Sequence, residues 1–238
     1  MANPYFKFKH FVVFHDKTAM KVTTDACLFG AWCAGEISKE LAEGKKAMDM
    51  GTGSGLLSLM VAQKTKLKID AVEIENGAAN QAGENINTAA FEHAIIIHHH
   101  DIKTFKHSGY DFIISNPPFY ELDLKSDALL KNTAHHSRHL TLQQVVEIIS
   151  HKLNQAGKFY LLLPFKRKND IAYLLEKQNL HIHKIVEVKQ TENHNPFRII
   201  ISGSNIPGDV ESTSIDIKNG DDYSTTFKEL LRDYYLYL

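Results

Sequence analysis

The sequence predicts an α/β fold: a doubly wound, mostly parallel seven-stranded sheet with an antiparallel edge. Three observations carry this. From Lys46 onward, short apolar runs alternate with helix-patterned segments, the signature of a parallel sheet covered by helices. The first of those runs leads directly into Gly51-Thr-Gly53-Ser-Gly55 and then a helix, a strand–turn–helix unit. The last two runs have no helix between them, so they are expected to pair antiparallel across a loop and form the sheet's edge.

The elements follow in order. Lys46 to Met50 reads as a short buried strand. Leu56 to Gln63 is a helix, with Leu56, Leu59, Met60 and Gln63 on the i, i+3, i+4, i+7 positions. Lys68 to Glu73 is the second strand, and Asn76 to Ala90 a helix with Ala79, Ala82, Ile86 and Ala89 along one side. Ala94 to His99 and Asp111 to Ser115 are the third and fourth strands. Thr141 and Gln144 form a capping box for a helix reaching Leu153, whose stripe is Leu142, Val145, Val146, Ile149 and Leu153. Strands at 158–163, 184–189 and 197–202 complete the set, with a helix over 168–178. Around this core (46–202) lie a lead-in (1–45) and a tail (203–238), polar at first and then helix-spaced at Phe227, Leu230, Leu231 and Tyr234. The whole reads as a single domain.

Composition bounds the function classes. Of the 238 residues, 43% are hydrophobic and 23% charged, ordinary values for a soluble globular chain. No stretch approaches the roughly 20 apolar residues of a membrane helix, and no apolar run follows the N-terminal lysines as in a signal peptide. Cys27 and Cys33 have no disulfide or metal spacing and read as reduced structural thiols. A cytoplasmic protein is expected, and a monomer, since no heptads appear. A net charge of −1 means that any nucleic-acid contact must come from a local patch.

The first constellation is the glycine loop. Glycines at a strand-to-helix turn let a ligand approach the main chain, and ligands of open α/β sheets sit beyond the carboxyl ends of strands. A dinucleotide fingerprint counted from Gly51 would need glycine where Leu56 stands, which disfavours a dinucleotide oxidoreductase. The spacing Asp49-Met-Gly51-Thr-Gly53-Ser-Gly55 instead resembles the first motif of class I methyltransferases, whose cofactor is S-adenosylmethionine. That molecule carries an ammonium group, which Asp49 can help neutralise. Glu73, ending the next strand, can accept both ribose hydroxyls. Asp101, after the third strand, can accept the adenine amine. The run His98-His99-His100 invites a metal, but alternate strand residues point to opposite faces and no second ligand cluster is visible, so no metal is expected.

The second constellation is Asn116-Pro117-Pro118-Phe119, closing the fourth strand. It is similar to the motif carried there by class I methyltransferases acting on planar amino groups, on bases or on glutamine. An exocyclic adenine amine is a poor nucleophile because its lone pair is delocalised into the ring. As it attacks a sulfonium methyl it becomes tetrahedral and positive. Asn116's side-chain oxygen and Pro117's carbonyl can accept its two N–H groups, more strongly as charge develops. Pro117 and Pro118 bring no opposing N–H donors and stiffen the loop. Phe119 can stack on the base and hold it in line. The long irregular stretch from Asn116 to Arg138 holds Lys125, Lys131 and Arg138, with His135, His136 and His139, as a possible phosphate-binding patch.

Over nearly its whole length the sequence resembles the bacterial tRNA1(Val) adenine-37 N6-methyltransferase family. The resemblance rests on Phe6-Lys-Phe-Lys-His-Phe, His15-Asp and Ala19-Met-Lys-Val-Thr-Thr-Asp-Ala through Gly30-Ala-Trp; on Asp49 to Gly55 with Ala71-Val-Glu-Ile; and on Tyr110 to Phe119 with Ala134 to His139. The tail at Arg232-Asp-Tyr-Tyr-Leu is similar too. The resemblance implies a tRNA substrate contacted by Lys7, Lys9 and Arg138, and a lead-in whose Lys21-Val-Thr-Thr-Asp25 caps the cofactor pocket, with Lys21 and Thr24 near the methionine end. Read alone, that segment is a strand and turn. Two positions depart from the family pattern: Thr23, where glycine is expected, and Phe119, where tyrosine is common. An anticodon-loop base is already outside a duplex, so swinging it into a pocket costs less than flipping a paired one.

The same tetrapeptide also serves methylation of a glutamine in a protein such as a release factor. Those enzymes usually carry a helical N-terminal domain, whereas about 45 residues precede the core here. A ribosomal-RNA base is another substrate for this chemistry. A pocket that binds without catalysing is disfavoured by the intact tetrapeptide.

Overall fold

A computed structural model describes residues 3–40, 44–91, 94–117 and 140–238. The chain opens with a small hairpin, β1 (Tyr5–Lys7) and β2 (Val12–Phe14), followed by helix α1 (Thr24–Ser38). Then come β3 (Lys46–Met50), α2 (Leu56–Lys64), β4 (Lys68–Glu73), α3 (Asn76–Asn87), β5 (Ile95–His99) and β6 (Tyr110–Ser115). After the segment outside the described residues, α4 (Leu142–Lys152), β7 (Leu153–Pro164), α5 (Lys168–Lys177), β8 (His181–Lys189), β9 (Arg198–Ser204), β10 (Glu211–Asp216) and α6 (Thr225–Leu231) complete the main elements.

The central sheet has eight strands in the order β10-β8-β9-β7-β6-β3-β4-β5. β3, β4, β5, β6 and β7 run parallel; β9 is inserted antiparallel between β7 and β8. The last two expected strands, β8 and β9, do pair antiparallel, but one strand in from the edge. The eighth strand, β10, pairs parallel with β8 and lies in the tail that reads as polar. Its six residues bury only Ile215, so an edge strand with one inward side chain leaves almost no alternation to detect.

Alternate residues of each strand feed opposite cores. Phe112 and Ile114 of β6 join the core formed with α1, α2, α3 and α6, while Ile113 joins the one under α4 and α5. The capping box of α4 is present, with Gln144 N–H donating to Thr141 Oγ1 and Thr141 N–H to Gln144 Oε1.

The lead-in differs most from expectation. Instead of a strand and turn, residue 24 begins a 15-residue helix. Ten of its residues are buried, including Phe29, Trp32 and Ile37, so it is apolar on every side and carries no amphipathic stripe for sequence reading to find. Thr23 is its N-cap at φ −121°, an extended conformation open to any residue, so threonine in place of glycine introduces no strain. Burial pushes the Cys27 thiol up to about 12 and Cys33 upward too, in keeping with inert structural thiols.

Before α1 the lead-in climbs along α3. Phe11 meets Phe91 edge-on near the helix's end. Asn85 then accepts the Phe14 N–H and donates to Phe14 O and Ser54 O, all at 2.9 Å. Gln81 accepts from Lys17 N at 2.9 Å and donates to Asp16 at 2.7 Å. From below, the tail fastens the same lead-in: Phe8 bridges to Tyr235, Lys9 N donates to Tyr234 O, and the Tyr234 hydroxyl donates to Met60 O. Among the described residues no helix is long and apolar enough to cross a membrane.

Candidate functional site

The strand order reverses at β3: β4 and β5 lie on one side, β6 and β7 on the other. Connections leaving β3 and β6 therefore part in opposite directions and open a crevice at the strands' carboxyl ends. The glycine loop leaves β3 there, and Asn116 and Pro117 leave β6. The Ser115 hydroxyl donates to Met50 O at 2.7 Å, pinning the last residues of the two strands together.

The loop is shaped by its glycines and its neighbours. Gly51 and Gly53 sit at φ +74° and +57°, and a Cβ at either would meet nothing within 4 Å, so their main chain borders open space. The N–H groups of Gly51 and Thr52 both donate to Val72 O, at 2.9 and 3.1 Å. Gly55, at φ +82°, is the N-cap of α2 and packs on Ala82 and Ile86.

Asp49 lies wholly buried beneath this loop. Its Oδ2 accepts from the Thr52 hydroxyl at 2.6 Å, the Ser58 hydroxyl at 2.7 Å and the Ser58 N–H at 3.1 Å. Its Oδ1 is buried and has no partner among the described residues. Burial pushes the carboxyl up to about 6 despite those three donors. A cationic group beside Oδ1 would restore the charged form. Thr52 and Ser58, which orient Asp49, were not singled out from the sequence; only their distance from Asp49 on one loop and the following helix could have suggested them.

Glu73 is used differently. Its Oε2 accepts the Gly53 N–H and its Oε1 the Ile74 and Glu75 N–H groups, all at 2.9 Å. A carboxylate has about four lone-pair sites, so three donors leave roughly one for a ribose hydroxyl, not two. Asp101 Oδ1 accepts the Lys103 N–H at 2.9 Å in the turn after β5, with Lys103 Nζ 3.7 Å from Oδ2.

Asn116 Oδ1, where β6 ends beside β3, is likewise buried without a partner among the described residues; Asp216 Oδ1, at the end of β10 on the sheet's far edge, is a third at the carboxyl ends. Pro117 is buried beside Asn116. Pro118, Phe119, Lys125 and Arg138, with Lys131 and His135, His136 and His139, lie outside the described residues. Asp49 and Asn116 are thus brought to adjacent strand ends, each with one oxygen unpaired among the described residues.

The lead-in reaches the same end. Asp25, in the first turn of α1, is paired at 2.7 Å with Arg198, the first residue of β9, which sits opposite the last residue of β7. Thr24 is partly buried and Lys21 exposed. Lys7 is exposed on β1. Lys9 is held at the opposite end of the sheet: its Nζ donates to Arg232 O at 2.5 Å, and it lines a hollow with Lys64, Phe91 and Asp233, where α2 ends. The three consecutive histidines go separate ways: His98 bonds Asp70 at 2.7 Å, His99 bonds Ile74 O at 3.2 Å and His100 bonds Asp101 O at 2.9 Å.

Residues 36–190 match the family model described as methyltransferase small domain. A tRNA1(Val) (adenine(37)-N6)-methyltransferase of Dyadobacter fermentans is 35% identical over 98% of both chains. One of Parabacteroides distasonis is 33% identical over 99% of both. Among solved structures, a predicted O-methyltransferase of Agrobacterium tumefaciens shares the fold with a TM-score of 0.65 at 13% identity, covering 88% of this chain and 96% of that one.

Proposed function

We propose an assignment of roles within a chain that belongs to the tRNA1(Val) (adenine(37)-N6)-methyltransferase family, built on a methyltransferase small domain. The enzyme transfers a methyl group from S-adenosylmethionine to the N6 amine of an adenine in tRNA, adenine 37 of tRNA1(Val). The observation that supports the residue assignment is the pair of buried oxygens without a partner among the described residues, Asp49 Oδ1 and Asn116 Oδ1, at the two strand ends flanking the crevice.

The residues fit the cofactor. Asp49 Oδ1 is the acceptor for its ammonium, and Gly51 and Gly53 leave main chain bare for it to lie against. Glu73 holds the loop through Gly53 N–H and keeps one lone pair for a ribose hydroxyl. Asp101 receives the adenine amine. Lys21 and Thr24 close the methionine end from the lead-in, which Asp25–Arg198 anchors at the correct end of the sheet. When bound, S-adenosylmethionine would supply an electrophilic methyl on a sulfonium and keep the pair of the broken C–S bond, leaving as a neutral thioether.

Asn116 Oδ1 accepts one N–H of the target amine and Pro117 O the other. The nitrogen lone pair is thereby turned out of conjugation and toward the methyl. As the new C–N bond forms, positive charge grows on nitrogen and both hydrogen bonds strengthen, so the site binds the transition state more tightly than the ground state. The surplus N–H proton leaves to solvent after transfer, and no metal and no tuned general base enters. Pro118 stiffens the loop and Phe119 stacks on the base. Lys7, Lys125 and Arg138 contact the RNA backbone. Lys9, at the far end of the sheet, would reach only a distant part of the tRNA.

The enzyme acts as a monomer in the cytoplasm on this reading. The test is transfer of labelled methyl into tRNA from cells lacking the modification, followed by nucleoside analysis. N6-methyladenosine beside the valine anticodon is expected. Label in protein or in ribosomal RNA instead would keep the cofactor and overturn the substrate. Light scattering during the same preparation checks the monomer.

A further inference from the structure

The His98-His99-His100 run does not gather a ligand set within itself, yet the fold builds one around its first member. β4 and β5 pair with Asp70 opposite Ile96 and Val72 opposite His98, which puts the Asp70 and His98 side chains on one face, diagonally adjacent. His107 approaches from the loop that enters β6. One nitrogen from each histidine and one oxygen of Asp70 all lie within 4.8 Å of one another.

We propose that Asp70, His98 and His107 bind a late first-row divalent cation, with Zn²⁺ as the species their donors suit. Two imidazole nitrogens and a carboxylate oxygen are the donors that such ions prefer, whereas Mg²⁺ and Ca²⁺ require oxygen-rich shells. The distances fit. Zn²⁺ bonds of about 2.0–2.1 Å in a tetrahedron put neighbouring ligand atoms about 3.3 Å apart. His98 Nε2 and Asp70 Oδ1 are 2.7 Å apart, and His107 Nδ1 and Asp70 Oδ2 are 3.7 Å apart, on either side of that value. The two histidines meet different oxygens of Asp70, so a shared ion draws in both rings and turns the carboxylate toward it.

The surroundings hold the ligands ready. The Tyr110 hydroxyl donates to Asp70 Oδ2 at 2.8 Å, the kind of supporting bond that orients a metal-binding carboxylate. The Lys152 ammonium, itself nearly buried, donates to Phe105 O and His107 O and so clamps the loop carrying His107. The Phe105 ring lies 4.9 Å from His98 and 4.8 Å from His107, fixing both imidazoles against one apolar plate. His107 is the informative member. It is 61% exposed, faces Asp70, and at 3.7 Å is too far for a hydrogen bond to it. That spacing suits an ion pair of a protonated imidazole with Asp70, or a cation held between the two groups. Three protein ligands leave a fourth position for water, and the exposure of His107 provides the way in.

The test uses the full chain stripped of metal by a chelator and titrated with Co²⁺, read by its visible absorption, and with Zn²⁺ by competition. One saturating equivalent per chain is expected. His107→Ala should weaken it at least tenfold, since even removal of a supporting group costs about 10- to 100-fold. His98→Gln should do the same. His194→Ala, a histidine exposed elsewhere and bonded to Thr191, should leave it unchanged. Zn²⁺ should raise the melting temperature of the natural chain and not of His107→Ala. No saturable equivalent, equal affinity in His107→Ala, or an equal loss in His194→Ala would each overturn the site. Methyl transfer by His107→Ala should be normal, so this outcome is separate from the assignment of the reaction.

Discussion

The carboxyl ends of β3 and β6 differ in kind from those of β4 and β5, although all four look alike as polar residues closing apolar strands. At the first pair, Asp49 and Asn116 each keep one buried oxygen without a partner among the described residues. At the second, Glu73 spends three lone pairs on main-chain N–H groups and Asp101 shapes its own turn. A buried acceptor without a donor costs stability, so it persists where a ligand supplies the donor. One already bonded to main-chain N–H groups is first of all a brace. The division separates residues that meet the reacting groups from residues that hold the loops around them.

The sharpest way to break that division is Asn116→Ala. Turnover should fall by about 10²- to 10³-fold, the scale of losing one preorganised partner of developing charge, while S-adenosylmethionine binding persists. Single-turnover rates beside calorimetric titration read the two separately, and a normal rate would remove Asn116 from the chemistry.

Asp49→Asn comes next. Removing the charge facing the ammonium should weaken cofactor binding by about 10- to 150-fold, the equivalent of ~1.5–3 kcal/mol for a charged hydrogen bond. The natural enzyme should also bind more weakly as pH falls through about 6, where the Asp49 carboxyl takes up its proton, and the variant should lose that dependence. The sign for folding is the reverse. The folded carboxyl holds its proton up to about 6 while the unfolded one releases it near 3.8, so the apo protein should lose stability as pH rises between those values. Asp49→Asn should flatten that slope in thermal melts taken from pH 4 to 7. An unchanged slope would mean the carboxyl is not held protonated.

Glu73→Gln tests the brace. An amide can keep only part of what the carboxylate accepts, so a loss of about 1–3 kcal/mol is expected, or some 3–10 °C in melting temperature for a chain of this size. Cofactor affinity should fall less than in Asp49→Asn. If the order is inverted, Glu73 is the ligand-facing group and the division fails. The smallest effect belongs to Thr23→Gly. With φ at −121° and no side-chain capping bond, its stability should change by only a few tenths of a kcal/mol. A large gain would show that threonine strains the start of α1.

Much of this was legible in the sequence. Apolar runs bounded by turn residues located β3 to β6, of which β3, β4 and β6 are buried on both faces, and a one-sided stripe with its capping box at Thr141 and Gln144 marked α4, so each stands out against its flanks. What escaped lacks that contrast. α1 is apolar all round and β10 is polar nearly all round, so neither has a face to read. The candidate site shows the same limit. Residue types and strand ends put Asp49, Glu73 and Asn116 in one place, but which oxygens were already taken depended on N–H groups of Gly53, Ile74 and Glu75, which any residue carries. The three histidines show the same limit: neighbours in sequence diverge on a strand, while Asp70 and His107 converge on His98 from elsewhere.

The clasp between lead-in and tail gives the chain a timetable. Lys9 is fastened to the carbonyl of Arg232, 223 residues further on. During synthesis the segment that lies along α3 leaves the ribosome first and waits for nearly all the remaining chain before its fastener exists. A ribosome paused in the later strands of the central sheet therefore carries a lead-in that Asn85 and Gln81 can already hold along α3 but that the tail has not yet clasped from below.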